Sequence, residues 1–346
     1  MNNLKIAKLY FVSPFHFSSG KPNSFSKSEQ MIHSDSLVSA IYATAILLFG
    51  EEEINEGLLK SFTLSSAFPF YREELFFPKP MKGFKVDKLL DSNQQEIAEG
   101  AVKDKINKKI KWIGLLEFQK VLAGGSLIIK NTHFVNQSKT MVSSKLAPSS
   151  EQGKLSVTVS DLQQRVNVCE EKTFYVERVF FSEGGGLYFI VNTKNDTTLK
   201  QLSFVLDYLS EEGVGMNKNV GFGKFQFNGF EDFPLDAPEN GDDWVNLSLY
   251  CPKDKEEIDE VTVLSNSAYQ LIKRGGWVAN ARNKANLTYR KKSIFMFREG
   301  SVFHFGKQDK PMIEKGKIED LKPKDWNLHD HPIHRDGRGM FFPIIV

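Results

Sequence analysis

LKQLSFVLDYLSEEGVGMNKNVGFGKFQFN, residues 199–228, decides how this chain folds. Leu199, Leu202, Val205, Leu206 and Leu209 recur at helical spacing. Glycines at 213, 215, 221 and 223 then enclose Lys218, Asn219 and Lys224 with no acidic residue among them, and Lys224 to Asn228 alternates as a closing strand would. Glycine reaches positive φ without a Cβ penalty and lets another backbone come close, while exposed amides and lysines attract phosphate. The stretch therefore reads as a phosphate-binding loop, with a purely structural turn as the alternative. A dinucleotide fingerprint is excluded by order, because it lies between a strand and the helix that receives the pyrophosphate. The Walker pattern is absent.

Working outward, Lys5 to Val12 alternates ahead of a Ser-Pro break and predicts an opening strand. Leu37, Ala40, Ile41, Thr44 and Leu48 predict a helix that Ser34 or Asp35 would cap. Phe174 to Phe181 and Gly186 to Asn192 read as strands. Strand, helix, two strands, helix, strand is the ferredoxin-like order that RNA-recognition modules use. The expected class is α+β, with a first domain over residues 1–235 that carries an insertion at about 80–166. A smaller second domain over 236–346 is expected from a strand at Val245 to Tyr250, a helix at Val263 to Ile272, and strands near Ile294 to Phe297 and Ser301 to Phe305.

The 346 residues are 40% hydrophobic and 25% charged, ordinary for a globular protein, and the net charge is +2. The charges are segregated. Val261 to Arg298 holds Lys273, Arg274, Arg282, Lys284, Arg290, Lys291, Lys292 and Arg298 and no carboxylate, whereas Glu231 to Glu260 carries eleven acidic residues. Phe118 to Ser150, with Lys120, Lys130, Lys139 and Lys145, is likewise free of acidic residues. Such stretches are either solvated faces or surfaces for a polyanion. Cys169 and Cys251 form no framework, and the best apolar run, Ala40 to Phe49, is too short to span a bilayer. The start MNNLKIAKLYFV turns polar too soon for a signal peptide, so a cytoplasmic protein without membrane function is expected.

Other candidates for chemistry are weaker. His33, Ser34 and Asp35 are adjacent and do not make a hydrolase triad; His33 is expected to face a ligand beside the glycine loop. His16 and His33 are candidates for acid/base work on an RNA 2′-hydroxyl, against a structural or RNA-binding role. His329, Asp330, His331, His334 and Asp336 lack the helix or hairpin context of a metal site. Neither metal nor cofactor is expected.

With these motifs in hand, the chain resembles the RAMP superfamily of CRISPR proteins, and within it the fourth Csm subunit of type III-A effector complexes. The resemblance rests on Ser13, Pro14 and His16; on His33, Ser34, Asp35 and Leu37; on Ser66 to Pro69, Leu75 to Pro80 and Glu183 to Phe189. It rests above all on the loop pattern G-x-G-x-x-K/R-x-x-G-x-G-x-F, matched by Gly213, Gly215, Lys218, Gly221, Gly223 and Phe225. Arg274 to Val278, Lys292 to Phe303 and His331 to Pro343 continue it. The resemblance implies two ferredoxin-like domains, with an extended insertion in the first that reaches toward RNA and a neighbouring subunit. It also implies a non-catalytic role in antiviral defence: holding the 5′ handle of the crRNA and joining the large polymerase-domain signature subunit to a backbone RAMP subunit. Lys218, Asn219, Lys224 and the Gly213 to Gly223 amides are then the expected phosphate contacts, assisted by His33, Lys139 and Lys145. A metal-independent repeat-processing endoribonuclease of the same superfamily is the alternative.

Overall fold

The computed structural model describes residues 4–18, 26–50, 54–91, 93, 95–96, 100–146, 157–167, 172–193, 195–263, 266–276, 290–308, 310–322 and 332–346. The first unit opens with β1 (Leu4–Phe11) and α1 (Ser34–Phe49), followed by β2 (Phe62–Leu64), β3 (Phe68–Tyr71) and β4 (Glu74–Pro78). Between them and the next long strand come β5 (Val86–Leu90), α2 (Ala101–Lys109), β6 (Trp112–Gly114), α3 (Leu115–Leu122), β7 (Leu127–Lys130), β8 (Met141–Val142), β9 (Thr158–Asn167) and β10 (Lys172–Phe181). β11 (Gly185–Thr193), α4 (Asp196–Glu212) and β12 (Phe225–Asp232) complete the unit. The main sheet runs β12-β1-β11-β3-β4-β6-β8, with β2 also paired to β11. Of the two middle strands expected, Gly186–Asn192 falls in β11 of the main sheet, whereas Phe174–Phe181 falls in β10, which pairs with β9 outside it; the closing strand β12 lies beside the opening strand β1 in antiparallel register.

Alternation along the central strands assigns each residue to a face. Ala7, Leu9, Leu187, Phe189 and Val191 pack under Leu37 and Ile41 of α1 and Leu202, Val205, Leu206 and Leu209 of α4. Leu4, Ile6, Phe68, Phe70, Tyr188 and Ile190 point the other way, where they meet Val245, Leu247, Val302, Met340 and Phe342. Both faces of the sheet are therefore closed. Residues 86–142, expected as part of an insertion, contribute Val86, Leu89, Ile113, Phe118, Leu122, Ile129 and Phe134 to the same core. What projects is the β9–β10 hairpin, ten residues per strand, about 34 Å at 3.4 Å per residue.

The second unit comprises β13 (Asp243–Asn246), α5 (Lys255–Thr262), β14 (Leu271–Arg274), β15 (Ile294–Phe297), β16 (Val302–His304), β17 (Ile313–Lys315), β18 (Ile318–Asp320), β19 (His334–Asp336) and β20 (Gly339–Ile344). A sheet of order β16-β13-β20-β17 is accompanied by the β14–β15 and β18–β19 ribbons. The helix expected at Val263 to Ile272 is displaced. It is the acidic run before it that is helical, because the Asp254 carboxylate accepts from the Glu257 amide at 3.0 Å and Glu256 and Glu257 sit at the positive helix start. Leu271 and Ile272 pair instead with Phe297 and Met296.

The segment His33-Ser34-Asp35 ties the units together and does not cap α1 with its side chains. Ser34 accepts from the Leu249 amide at 2.9 Å. Asp35 takes Arg274 through two hydrogen bonds of 2.8 and 2.9 Å and also receives Arg335. His33 is wedged between Glu299 at 2.8 Å and Glu29 at 3.0 Å. Burial alone would lower the imidazole pKa, but the Glu299 charge and the bonds to both carboxylates prevail and hold it at about 9. Burial likewise opposes charge on Asp35 and Glu299, yet the arginines and His33 keep both carboxyls below their ordinary range. His33 is thus a buried imidazolium, closed to any ligand, which corrects its expected place beside the glycine loop.

Two outcomes follow for stability. The His33 contribution is complete below pH 6.5 and is lost as pH rises through about 9, on the order of 3 kcal/mol in all. Chemical denaturation from pH 6 to 10 should therefore show a decline that His33→Gln abolishes. The depressed carboxylates act in the opposite sense, stabilising above the ordinary carboxylate range and failing as pH falls through their lowered values. Asp35→Asn, which strands two buried guanidinium groups, should cost about 3–5 kcal/mol at neutral pH.

Candidate nucleic-acid interface

α4 ends where the Gly213 amide donates to Leu209 O at 2.8 Å, with Gly213 at φ 82°. The loop then folds back on itself: Val214 N donates to Gly223 O at 3.0 Å, and Gly223 N to Pro14 O at 2.8 Å. Met216 N reaches His16 O at 3.0 Å and Lys224 N reaches Ser13 Oγ at 2.8 Å, so the N-terminal segment after β1 is sewn to the loop. A single turn, Lys218–Val220, sits between left-handed Asn217 and Gly221. Here Gly221 N donates to Lys218 O at 3.0 Å.

These bonds explain the glycines. A Cβ on Gly213 or Gly223 would strike the carbonyl of Phe222 or Val214, and one on Gly215 would meet His16 O at 2.8 Å. The close approach that the glycines permit is that of the protein's own backbone. The amides of Gly213, Gly221 and Gly223 are engaged internally and are not donors for a phosphate, a correction to the expected clamp. What the loop offers outward is its tip: Lys218 and Asn219 are exposed, with Met216 and Val220 beside them, while Lys224 is half-buried.

The β9–β10 arm lies against this tip. A cavity of about 430 Å³ is lined by His16, Ser26, Phe174, Tyr175, Val176, Met216 and Asn217. Arg165 bonds the Asn217 side chain at 3.3 Å and lies 5.3 Å over the Phe222 ring. Phe174 and Tyr175 keep 43% and 51% of their surface exposed although the strand holding them is rooted in the core by Phe15 and Val179. His16 is buried, its Nδ1 2.7 Å from Glu177 O. The result is a slot with aromatic and thioether walls and a basic mouth, suited to an unstacked base and its phosphate. Arg165, Phe174, Tyr175 and Met216 were not singled out as site residues in the sequence; two adjacent aromatics, Phe174 and Tyr175, were the available signal. A larger cavity of about 610 Å³ at the seam of the two units bears Asp236 and Glu239 against a single cation, Lys310.

The remaining candidates lie elsewhere. Lys139 bonds Asn131 Oδ1 at 3.1 Å and covers the Phe134 ring at 5.4 Å. Lys145 is exposed, 3.8 Å from the buried Glu74 carboxylate. Both flank β8, at the opposite edge of the sheet from β12, about 29 Å away at 4.8 Å per strand. Of the basic stretch, Arg274 is consumed by Asp35, and Arg282 and Lys284 lie outside the described residues. Of the histidine-aspartate group, Asp336 pairs with Arg338 at 2.6 Å and His334 packs edge-on to Tyr42. His329, Asp330 and His331 lie outside the described residues. Among those described, no group of three or more His, Cys, Asp or Glu is arranged to hold a metal, and no helix is long and apolar enough to cross a membrane.

The first unit is an α+β body with a glycine loop between α4 and its closing strand β12. Residues 239–344 match the family described as the CRISPR Csm4 C-terminal domain. Along its length the chain is similar to the Csm4 protein of Methanocaldococcus jannaschii, 24% identical over 377 residues covering 96% of this chain and 94% of the relative. The Csm4 protein of Thermococcus onnurineus is 23% identical over 264 residues, 74% of this chain and 78% of the relative. Among solved structures, a chain of the Csm3–Csm4 subcomplex of the type III-A interference complex matches with a TM-score of 0.66 at 21% identity, covering 99% of both chains. A chain of the Csm1–Csm4 cassette bound to AMPPNP matches at 0.59 and 17% identity, over 99% of this chain and 98% of that one. Residues 239–344 thus match the Csm4 C-terminal domain, and along its whole length the chain is similar to Csm4 proteins.

The glycine geometry makes a graded prediction. Gly223→Ala should destabilise the loop by well over 1 kcal/mol, through both its φ of 75° and the collision with Val214. Gly221→Ala meets no atom within 4 Å and should cost only about 1 kcal/mol for its left-handed backbone. Thermal denaturation and amide exchange of residues 213–225 would separate the two.

Proposed function

We propose that the chain is the crRNA-binding subunit of a type III-A effector complex and holds the 5′ handle at the slot between the glycine loop and the β9–β10 arm. The observation that carries this reading is a slot lined by Phe174, Tyr175 and Met216 where loop and arm meet, with Arg165 bonded to its Asn217 and the exposed Lys218 next in sequence. Phosphates follow the lysines and fix register, while splayed bases enter the slot and stack. Because both sheet faces are closed by packing, RNA binds at the loop end and not on a strand face of the first unit.

The partners in this reading are the large signature subunit and a backbone RAMP subunit, as in the Csm1–Csm4 and Csm3–Csm4 assemblies of its structural relatives. Each unit is read as a ferredoxin-like domain, the first from its element order and the second from the resemblance. The role is non-catalytic. His33 is locked between two carboxylates and His16 is buried against a carbonyl, an arrangement that disfavours either as the acid or base of a processing ribonuclease.

Handle RNA titrated by fluorescence anisotropy at several salt concentrations tests the assignment. Lys218→Ala with Lys224→Ala should flatten the slope of log K against log salt by about 1.4, at about 0.7 per phosphate contact on a single strand. Tyr175→Ala should weaken binding by about 1–3 kcal/mol without changing that slope. Unchanged handle affinity in both variants would overturn the site, and clean single-site cleavage of repeat RNA in EDTA would overturn the non-catalytic role.

A further inference from the structure

The β14–β15 ribbon has two faces of different character. Ile272 and Met296 turn inward onto Leu249 and Cys251. On the other face Lys273 stands directly opposite Phe295, with Leu271 two residues along the same strand. Phe295 is 63% exposed and Leu271 51%, high values for side chains of this size. Tyr269, 41% exposed, continues the face and is held edge-on to Phe297 at 4.9 Å. Lys273 and Lys292 are exposed and make no ion pair among the described residues, and Arg290 is exposed beside Lys292.

From Val261 to Arg298 there is no carboxylate, so the ribbon presents cations and rings without a carboxylate of its own. Packing has already consumed Arg274 in the buried cluster, and Lys273 is left pointing outward. An acidic protein partner is the competing occupant, but a stable protein interface buries about 800 Å² per partner around an apolar centre. Phe295 and Leu271 supply only about a third of that even if wholly covered. Stacking of a single base needs one ring face and an adjacent cation, which is what the Lys273–Phe295 pair provides.

We infer that the outward face of the β14–β15 ribbon is a second contact for single-stranded RNA, with Phe295 stacking on an unpaired base and Lys273 meeting the neighbouring phosphate. The inference rests on the reading of this chain as an RNA-binding protein but not on the glycine-loop slot. It gives the second unit its own share in RNA recognition, on a strand face, where the first unit has none open.

The test uses the full chain and two fluorescein-labelled RNAs, a short handle RNA within the roughly 4–16 nucleotides one binding module covers and the same handle extended to roughly 30 nucleotides. Phe295→Ala should weaken the longer RNA about tenfold, and Phe295→Trp should restore it. Lys273→Gln should lower the salt slope by about 0.7. Ultraviolet crosslinking should yield RNA adducts within residues 271–274 or 290–297. An unrelated RNA of equal length distinguishes guide from general single-stranded binding: equal weakening by Phe295→Ala on both marks a sequence-tolerant contact and supports the inference. If Phe295→Ala and Lys273→Gln leave every RNA affinity unchanged while Lys218→Ala with Lys224→Ala lowers it, the inference falls and the slot stands. If none of these variants changes RNA binding, both fall. Loss of co-purification with a protein subunit at unchanged RNA affinity would assign the face to a protein partner and overturn the inference.

Discussion

Asp35 has no exposed surface, and the two guanidinium groups that neutralise it come from residues 239 and 300 positions further along the chain. Beside it, His33 is neutralised in the same way by Glu29 and by Glu299 of the second unit. Removing these charges from water is favourable only if every partner is in place, so the two units must dock in a single register for either cluster to exist. Ser66 strengthens the constraint by bonding both the Ser34 amide and the Glu299 carboxylate. The rest of the architecture depends on this register. It brings Val245, Leu247, Val302 and Phe342 over the open face of the first sheet and thereby closes the surface that an isolated domain of this kind would leave to solvent.

The glycine loop depends on the same rigidity. Its backbone is bonded to Ser13, Pro14 and His16, and those residues continue from β1, a strand paired on both sides in the main sheet. The loop tip is consequently held in place before any ligand arrives, and binding need not first order it. The β9–β10 arm shares this anchorage only at its root, through Phe15 and Val179. The slot thus has one wall fixed by the core and another carried by a long two-stranded lever.

Much of this was legible in the sequence where periodicity is long and local. β1, α1, β11, α4 and the loop between α4 and β12 follow from apolar spacing and glycine placement. Ser34 and Asp35 were misread as caps because their partners are far away in sequence, and a capping motif looks the same with or without them. α5 was missed because its eight residues, five of them charged, carry too little apolar period, although Asp254 with Glu257 three residues on was the signal. Apolar residues around Val263 to Ile272 imitate a helix while Leu271 and Ile272 pair in a ribbon. The glycines were rightly read as permitting close approach, but what approaches is internal. The slot was illegible because its walls come from residues 16, 165, 174, 175 and 216, which only the fold assembles.

The pairing of β1 has a consequence during synthesis. Its two neighbours are β11 and β12, which end at residues 193 and 232 of 346. At 5–20 residues per second the ribosome takes roughly 10 to 45 seconds to deliver the second of them. Until residue 193 has been made the first strand, with Leu4, Ile6, Ala7 and Leu9, has neither edge covered, and until residue 232 one edge stays open. The nascent chain must therefore be shielded from aggregation at its own beginning until two-thirds of it has been made.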